Sequence, residues 1–266
     1  MKVVINGGGG VGEALADILS NEQHDVTVIE QNANRAEALE ELLDCKVISG
    51  TGSNPAVLRE ADAGHASIFL AVTDFDEVNL LSCLVARRLG CPRSVARVRK
   101  LAFAMDDPAI SIGEMGIDQL INPDEEAARE ITRLLRNPGT TQVIPLAGGA
   151  AIVAGILVPP DSPLHGQTLA ALHGAHQDLR YRVVVIHRNS EAIIPSGADA
   201  VEAGDEIFVV AQPTTVKRLA ALFGRKPGPD TLGRVMILGA NDLGRHVAEM
   251  LQDECSVTLV DPRGDA

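Results

Sequence analysis

The stretch VVINGGGGVGEALADIL, residues 3–19, sets Gly7, Gly8, Gly9 and Gly10 between an apolar β-branched run and what reads as the first turns of an amphipathic helix. With Val11 and Gly12 it contains G-x-G-x-x-G, the spacing of a strand-to-helix turn that receives a pyrophosphate. Glycine is the residue that costs most to order, so four in succession need a reason. Gly7 permits the tight turn, Gly9 lets a pyrophosphate approach the backbone, and Gly12 lets the helix lie close to the sheet. Exposed N–H groups at the helix start then neutralise phosphate without a lysine. Glu30 ends the next β-like run, 18 residues beyond Gly12. Such an acid accepts hydrogen bonds from both ribose hydroxyls and repels a 2′-phosphate, which favours NAD over NADP and leaves ATP or ADP admissible. Each feature also has a plainer reading: a glycine turn required only for packing, and an acid solvated at a strand end.

Further candidates stand at the C-terminal ends of expected strands, where parallel sheets bind ligands. They are Thr51, Gly52 and Ser53 after the third strand, Thr73 and Asp74 after the fourth, and Arg97 near the end of the fifth. Arg97 either contacts a phosphate or pairs with an acid. Catalytic groups are harder to find. Tyr181, the only tyrosine, has no lysine four residues on, and His173 and His176 form an HxxH pair near His165 with no cysteine or carboxylate set beside them. No nucleophile with a base partner is recognisable. The residues read as a site built to bind and not to react.

These groups require elements to hold them. The first 120 or so residues alternate β-branched runs with helical patterns, which predicts a doubly wound parallel sheet with helices on both faces. Strands are expected at 2–6, 25–29, 46–49, 67–72, 94–98 and 118–121. Between them 76–89 reads as a helix, with Val78, Leu81, Leu84, Val85 and Leu89 spaced to bury one stripe. INPDEEAAREITRLLRNPG has Asn122 as a cap, Pro123 at the first turn, early acids, late arginines and Pro138-Gly139 as a stop. The uncharged run 137–160 is long enough to cross a bilayer. Its Pro145, Gly148, Gly149, Gly155 and Pro159 instead favour two short strands around a Gly148-Gly149 turn.

From Thr141 to about Gly224, shorter strands and turns predict a small α+β domain. The plan then restarts: RVMILGANDLGRHVAEMLQDECSVTLVDP repeats strand, turn, helix, strand and acid, with Gly239 and Asp261 as further nucleotide contacts. Asn241 stands there where the middle glycine belongs. Only 27 residues follow Gly239, so the second copy is expected to be a truncated piece of a tandem protein. The expected division is 1–121, a Rossmann-like nucleotide domain; 122–140, a connecting helix; 141–225, the α+β domain; and 232–266, the start of a second Rossmann-like unit.

Composition sets outer limits. The 266 residues carry 45% hydrophobic side chains, no Trp and a formal charge of −13. That charge argues against a nucleic-acid partner, since phosphate backbones are bound through Lys and Arg. Cys45, Cys83, Cys91 and Cys255 lack a CxxC spacing and read as small buried hydrophobes of a reducing cytoplasm.

The chain resembles the regulator of potassium conductance (RCK) family in its Trk-type potassium-uptake branch. In the nucleotide part the resemblance rests on INGGGGVGEALA, VTVIE, ISGTGSNPAVLREA, FLAVTDFDEVNLLSCLVA, SVARVR and the 121–139 helix. In the second part it rests on SPLHGQTLAAL, VVVIHRN and IIPSGADAVEAGDEIFVVA. It implies a cytosolic module, peripheral at the inner face of the membrane, that binds NAD or NADH, or ATP or ADP, through Gly7 to Val11, Glu30, Thr73, Asp74 and Arg97. It also implies homo-oligomeric dimers or tetramers beneath a membrane potassium-channel subunit of the Trk type, gated by nucleotide. The rival reading is an NAD-dependent oxidoreductase.

Overall fold

The computed structural model describes residues 1–100, 113, 115–224 and 232–262. It divides into two compact units, Met1–Glu126 and Ala127–Ala266.

The first unit runs β1 (Lys2–Asn6), α1 (Gly10–Asn21), β2 (Asp25–Glu30), α2 (Ala33–Leu42), β3 (Lys46–Ser49), α3 (Pro55–Glu60), β4 (Ile68–Ala71), α4 (Asp76–Leu89), β5 (Ser94–Arg97) and β6 (Gln119–Ile121). The sheet order is β3-β2-β1-β4-β5-β6, with every pair parallel. After β3 the chain returns to the far side of β1, so the winding reverses between β1 and β4. In an open α/β sheet that reversal leaves a crevice at the strand C-termini. Both faces are covered. Val3, Ile5, Val26 and Val28 pack with Ala16, Ala36 and Leu39 on one side, while Val4, Ile29, Ile48 and Phe69 pack with Leu58, Leu80 and Cys83 on the other. Burial on two faces is why these strands read as unbroken apolar runs.

Helix α4 corrects one expectation. Its buried face is Asp76, Asn79, Leu80, Ser82, Cys83 and Ala86, while Leu81 is 46% exposed. An apolar-only stripe misplaces the helix because three of the six inward residues are polar and bond to neighbouring strands and loops. Cys83 and Cys91 are buried, whereas Cys45 and Cys255 are only half-buried. Burial pushes the Cys83 thiol up to about 12.

The second unit carries α5 (Pro123–Arg136) from Ala127 onward, then β7 (Gln142–Leu146), β8 (Ala151–Leu157), α6 (Leu169–Ala175), β9 (Tyr181–Arg188), β10 (Glu191–Ile193), β11 (Glu206–Ala211) and α7 (Pro213–Leu222). Its sheet is antiparallel in the order β10-β9-β11-β8-β7. The uncharged 137–160 run folds here as the β7–β8 hairpin, turned by Gly148 and Gly149 at φ +66° and +91°. Pro145 is tolerated because β7 is an edge strand. Among the described residues no helix is long and apolar enough to cross a membrane. The core of this sheet joins Ile152, Ile156, Ile186 and Ile207 to Leu172, Leu219 and Phe223.

β12 (Arg234–Leu238), α8 (Asp242–Leu251) and β13 (Ser256–Val260) complete the unit as a parallel strand pair with its helix. Ala128 of α5 packs with Val247 and Leu251 of α8, and the Arg136 guanidinium grips the Glu254 carboxylate, holding that acid below its usual range.

Candidate nucleotide-binding site

At the C-terminal ends of β1, β2, β4 and β5 lies a cleft of about 590 Å³, within the size range of small-molecule and cofactor sites. Its floor is the glycine turn. Gly7 adopts φ +113°, a conformation that side chains rarely take, and its N–H donates to Ile29 O at 2.8 Å. Gly9 and Gly10 have open space where a side chain would stand. Gly12 is the opposite case: a Cβ there would come within 1.8 Å of the Gly7 carbonyl oxygen. Gly8 packs beneath the turn against Leu39 and Glu30.

Helix α1 starts at this turn with Gly9 as its N-cap and no side-chain cap hydrogen bond. The first N–H groups of a helix lack intrahelical partners and carry partial positive charge. Bare Gly9 therefore leaves both the room and the donors for an anion.

Glu30 is held in place from two directions. Its Oε2 accepts from Gly8 N–H at 2.7 Å and its Oε1 from Asn32 N–H at 2.8 Å. Arg35 ties the same corner, donating from Nε to Gly8 O at 3.0 Å and pairing with Glu13 of α1. The acid at the end of β2 and the turn after β1 are thus one preassembled corner.

Across the turn, Thr73 and Asp74 follow β4 and also line the cleft. Asn79, fully buried in α4, fixes them. Its Oδ1 accepts from Thr73 N–H at 2.9 Å and Oγ1 at 2.7 Å, and its Nδ2 donates to Thr73 O at 2.9 Å and Arg97 O at 2.8 Å. The Arg97 side chain is 13% exposed, with Nη1 at 3.4 Å from both Val72 O and Asp74 Oδ1. Its Nε is buried with no partner among the described residues. Of the two readings open for Arg97, the acid pair is the one that forms. Arg99 also faces Asp74, at 3.4 Å.

The cleft thus gathers Gly7, Gly9, Gly10, Val11, Glu30, Thr51, Thr73, Asp74 and Arg97 along its walls. Gly8, Gly12, Gly52 and Ser53 support those walls from behind. Gly52 sits against the Asn6 amide, where a Cβ would meet it at 2.3 Å, and the Ser53 hydroxyl lies 3.0 Å from that of Thr51. Gly239 and Asp261 belong to the second unit and do not join this cleft. Sequence reasoning passed over Asn6, Asn32, Arg35, Phe75, Asn79 and Arg99. Asn6 had a signal, being the polar residue that ends an apolar strand. A bare turn at an uncapped helix start, beside an acid that ends β2, has room and N–H donors that fit the phosphates of a nucleotide.

Of the other groups singled out, His165 Nδ1 accepts from Ala203 N–H at 3.2 Å, and His173 packs edge-on to Tyr181, with ring centres 5.9 Å apart.

Comparison with known proteins places these features. The TrkA-N domain family matches residues 3–123, and the TrkA-C domain family matches residues 153–224. The Trk system potassium uptake protein TrkA of Halomonas elongata is 34% identical over 262 residues, covering 98% of this chain and 57% of its own length. The TrkA homolog of Archaeoglobus fulgidus is 36% identical, covering 98% of this chain and 58% of its own length. The chain therefore spans just over half the length of these relatives. Among solved structures, the GsuK channel bound to NAD superposes with a TM-score of 0.66 at 19% identity, covering 99% of this chain and 46% of that one. The GsuK RCK domain gives the same TM-score at 20% identity, covering all of this chain and 57% of that one. These likenesses establish an RCK-type fold. Along its length the chain carries a domain of the TrkA-N family followed by a domain of the TrkA-C family.

Proposed function

We propose that the protein is a nucleotide-responsive regulatory subunit of a Trk-type potassium uptake system. It binds NAD(H) or an adenine nucleotide in the cleft of its first unit and passes a conformational change to a membrane channel subunit. The observation that carries this reading is the preassembled corner of Gly7–Gly10, Glu30 and Arg35, with open space over Gly9 and Gly10 at the uncapped start of α1. The nucleotide is held by Gly9, Gly10 and Val11 at its diphosphate and by Glu30 at its ribose; what it supplies is binding energy and not bond-making chemistry. The names of the relatives support the potassium-uptake setting. The same reading places the chain in the cytoplasm, at the inner face of the membrane, as a homo-oligomer. It also keeps the domain limits 1–121, 122–140, 141–225 and 232–266, and Gly239 and Asp261 as contacts of a second site.

Regulation demands differential affinity, because a ligand shifts an equilibrium only if it prefers one state. Calorimetry with NAD+, NADH, ATP and ADP is the direct test, and at least one binds. Gly9→Asp adds its side chain to open space at a helix N-terminus, so the fold tolerates it. The new carboxylate repels the diphosphate, and affinity falls at least ten-fold with an unchanged melting temperature. Retained binding in Gly9→Asp removes the turn from the site.

The oxidoreductase alternative needs a proton carrier beside the nicotinamide. Among the described residues, both carboxylates lining the cleft are engaged, Glu30 by backbone N–H groups and Asp74 by Arg97 and Arg99. A substrate-dependent change in NADH absorbance would restore that alternative.

A further inference from the structure

Phe75 breaks two local rules at once. It is the N-cap of α4, a position that favours Ser, Thr, Asp or Asn, and it makes no side-chain cap hydrogen bond. Its ring is also exposed: Phe75 is 59% accessible, whereas Phe69 and Phe223 are fully buried. A residue that forgoes both a cap and burial breaks local rules in the way that functional positions do.

Its backbone is nonetheless fixed. Phe75 N–H donates to Thr73 Oγ1 at 3.3 Å, and Phe75 O accepts from Asn79 N–H at 3.0 Å. Phe75 is among the residues lining the cleft, together with Val11 and Val78. Val11 is also exposed, at 44%.

The topology decides which half of a ligand this wall serves. Glu30 ends β2 on one side of β1, and Phe75 follows β4 on the other. A diphosphate on the glycine turn with its adenosine ribose at Glu30 directs whatever lies beyond the second phosphate toward the β4 side. We infer that Phe75 is the aromatic platform for the second base of a dinucleotide, so that it separates NAD(H) from ADP in this cleft. Aromatic faces stack on heterocyclic bases with little regard to base identity, and ADP has no second base to place there. This inference rests on the nucleotide reading of the cleft.

The test is titration of the full chain with NADH, followed by nicotinamide fluorescence, and with ADP, followed by calorimetry. Wild type, Phe75→Ala and Phe75→Tyr are compared. Phe75→Ala weakens NADH about ten-fold, the size of one lost base stack, and leaves ADP within two-fold. Phe75→Tyr keeps the ring and restores NADH binding. Unchanged ADP affinity also reports that the variant is folded, as expected for an exposed side chain. Equal weakening of both ligands, or of neither, overturns the platform and leaves the nucleotide reading standing. A wild type that binds ADP but not NADH also overturns the platform. Failure of wild type to bind either ligand overturns both.

Discussion

Gly9 and Gly12 stand three residues apart in surroundings that could hardly differ more. Gly9 looks into open space, while Gly12 presses on the Gly7 carbonyl. A methyl group at Gly12 forces the helix off the sheet, so Gly12→Ala costs about 3 kcal/mol of stability by chemical denaturation, at the upper end for overpacking. A second residue-scale consequence concerns Cys83. Its thiol is raised by burial to about 12, so the neutral form is the one the fold accepts. Stability contributed this way is fully present below the unfolded value of 9.0 and is lost as pH rises toward 12. Wild type therefore loses more stability than Cys83→Ala between pH 9 and pH 12, which urea midpoints across that range measure. The glycines and Glu30 were legible in the sequence because their work depends on local spacing. Asn79 and Arg35 were not, because the groups they bond lie 18 and 27 residues away in the chain and become neighbours only on folding.

Among elements, α4 shows how a correct helix can carry a wrong face. Its limits were readable from periodicity and from Gly90, which ends it at φ +118°. Its inward stripe was not, because Asn79 and Ser82 are buried for their hydrogen bonds, Ser82 meeting Asn6 at 3.1 Å. Asn79→Ala strands two backbone carbonyls and a backbone N–H and costs about 3 kcal/mol. It also loosens Thr73 and Arg97, so nucleotide affinity falls together with the urea midpoint. In the second unit the corresponding polar anchor is Asp205, whose fully buried side chain takes Arg188 in a two-pronged contact at 2.7 and 2.8 Å. Asp205 holds the Arg188 guanidinium above its usual range. Asp205→Ala removes both prongs, leaving Arg188 its contacts with Glu202 and the Ala200 carbonyl, and costs about 2 kcal/mol, measured by thermal unfolding. The β7–β8 hairpin turn at Gly148-Gly149 was readable from its residues. The pairing of β8 with β11, strands about 50 residues apart, was beyond any local signal.

At the scale of the whole molecule, a nucleotide that binds only the folded first unit stabilises it by mass action. At 100 times its dissociation constant that amounts to about 2.7 kcal/mol, which calorimetric scans with and without NADH will register as a raised melting temperature. The fold class and the restart of the plan after residue 232 were legible because both follow from the order of strands, turns and helices. The restart extends to detail. Ala240 N–H donates to Asp261 at 2.7 Å as Gly8 N–H does to Glu30, Gly239 N–H reaches Val260 O as Gly7 N–H reaches Ile29 O, and Gly244 crowds the Gly239 carbonyl as Gly12 crowds Gly7. Where Gly9 leaves α1 uncapped, however, Asn241 supplies a cap to Gly244 N–H at 2.9 Å. The duplicated clasp means that an acid at this corner is part of the scaffold before it is part of any recognition. Weaker nucleotide binding after removal of Glu30 will thus mix any lost ligand contact with a slackened loop. Replacing Asp261 in parallel calibrates how much slack such a deletion introduces by itself.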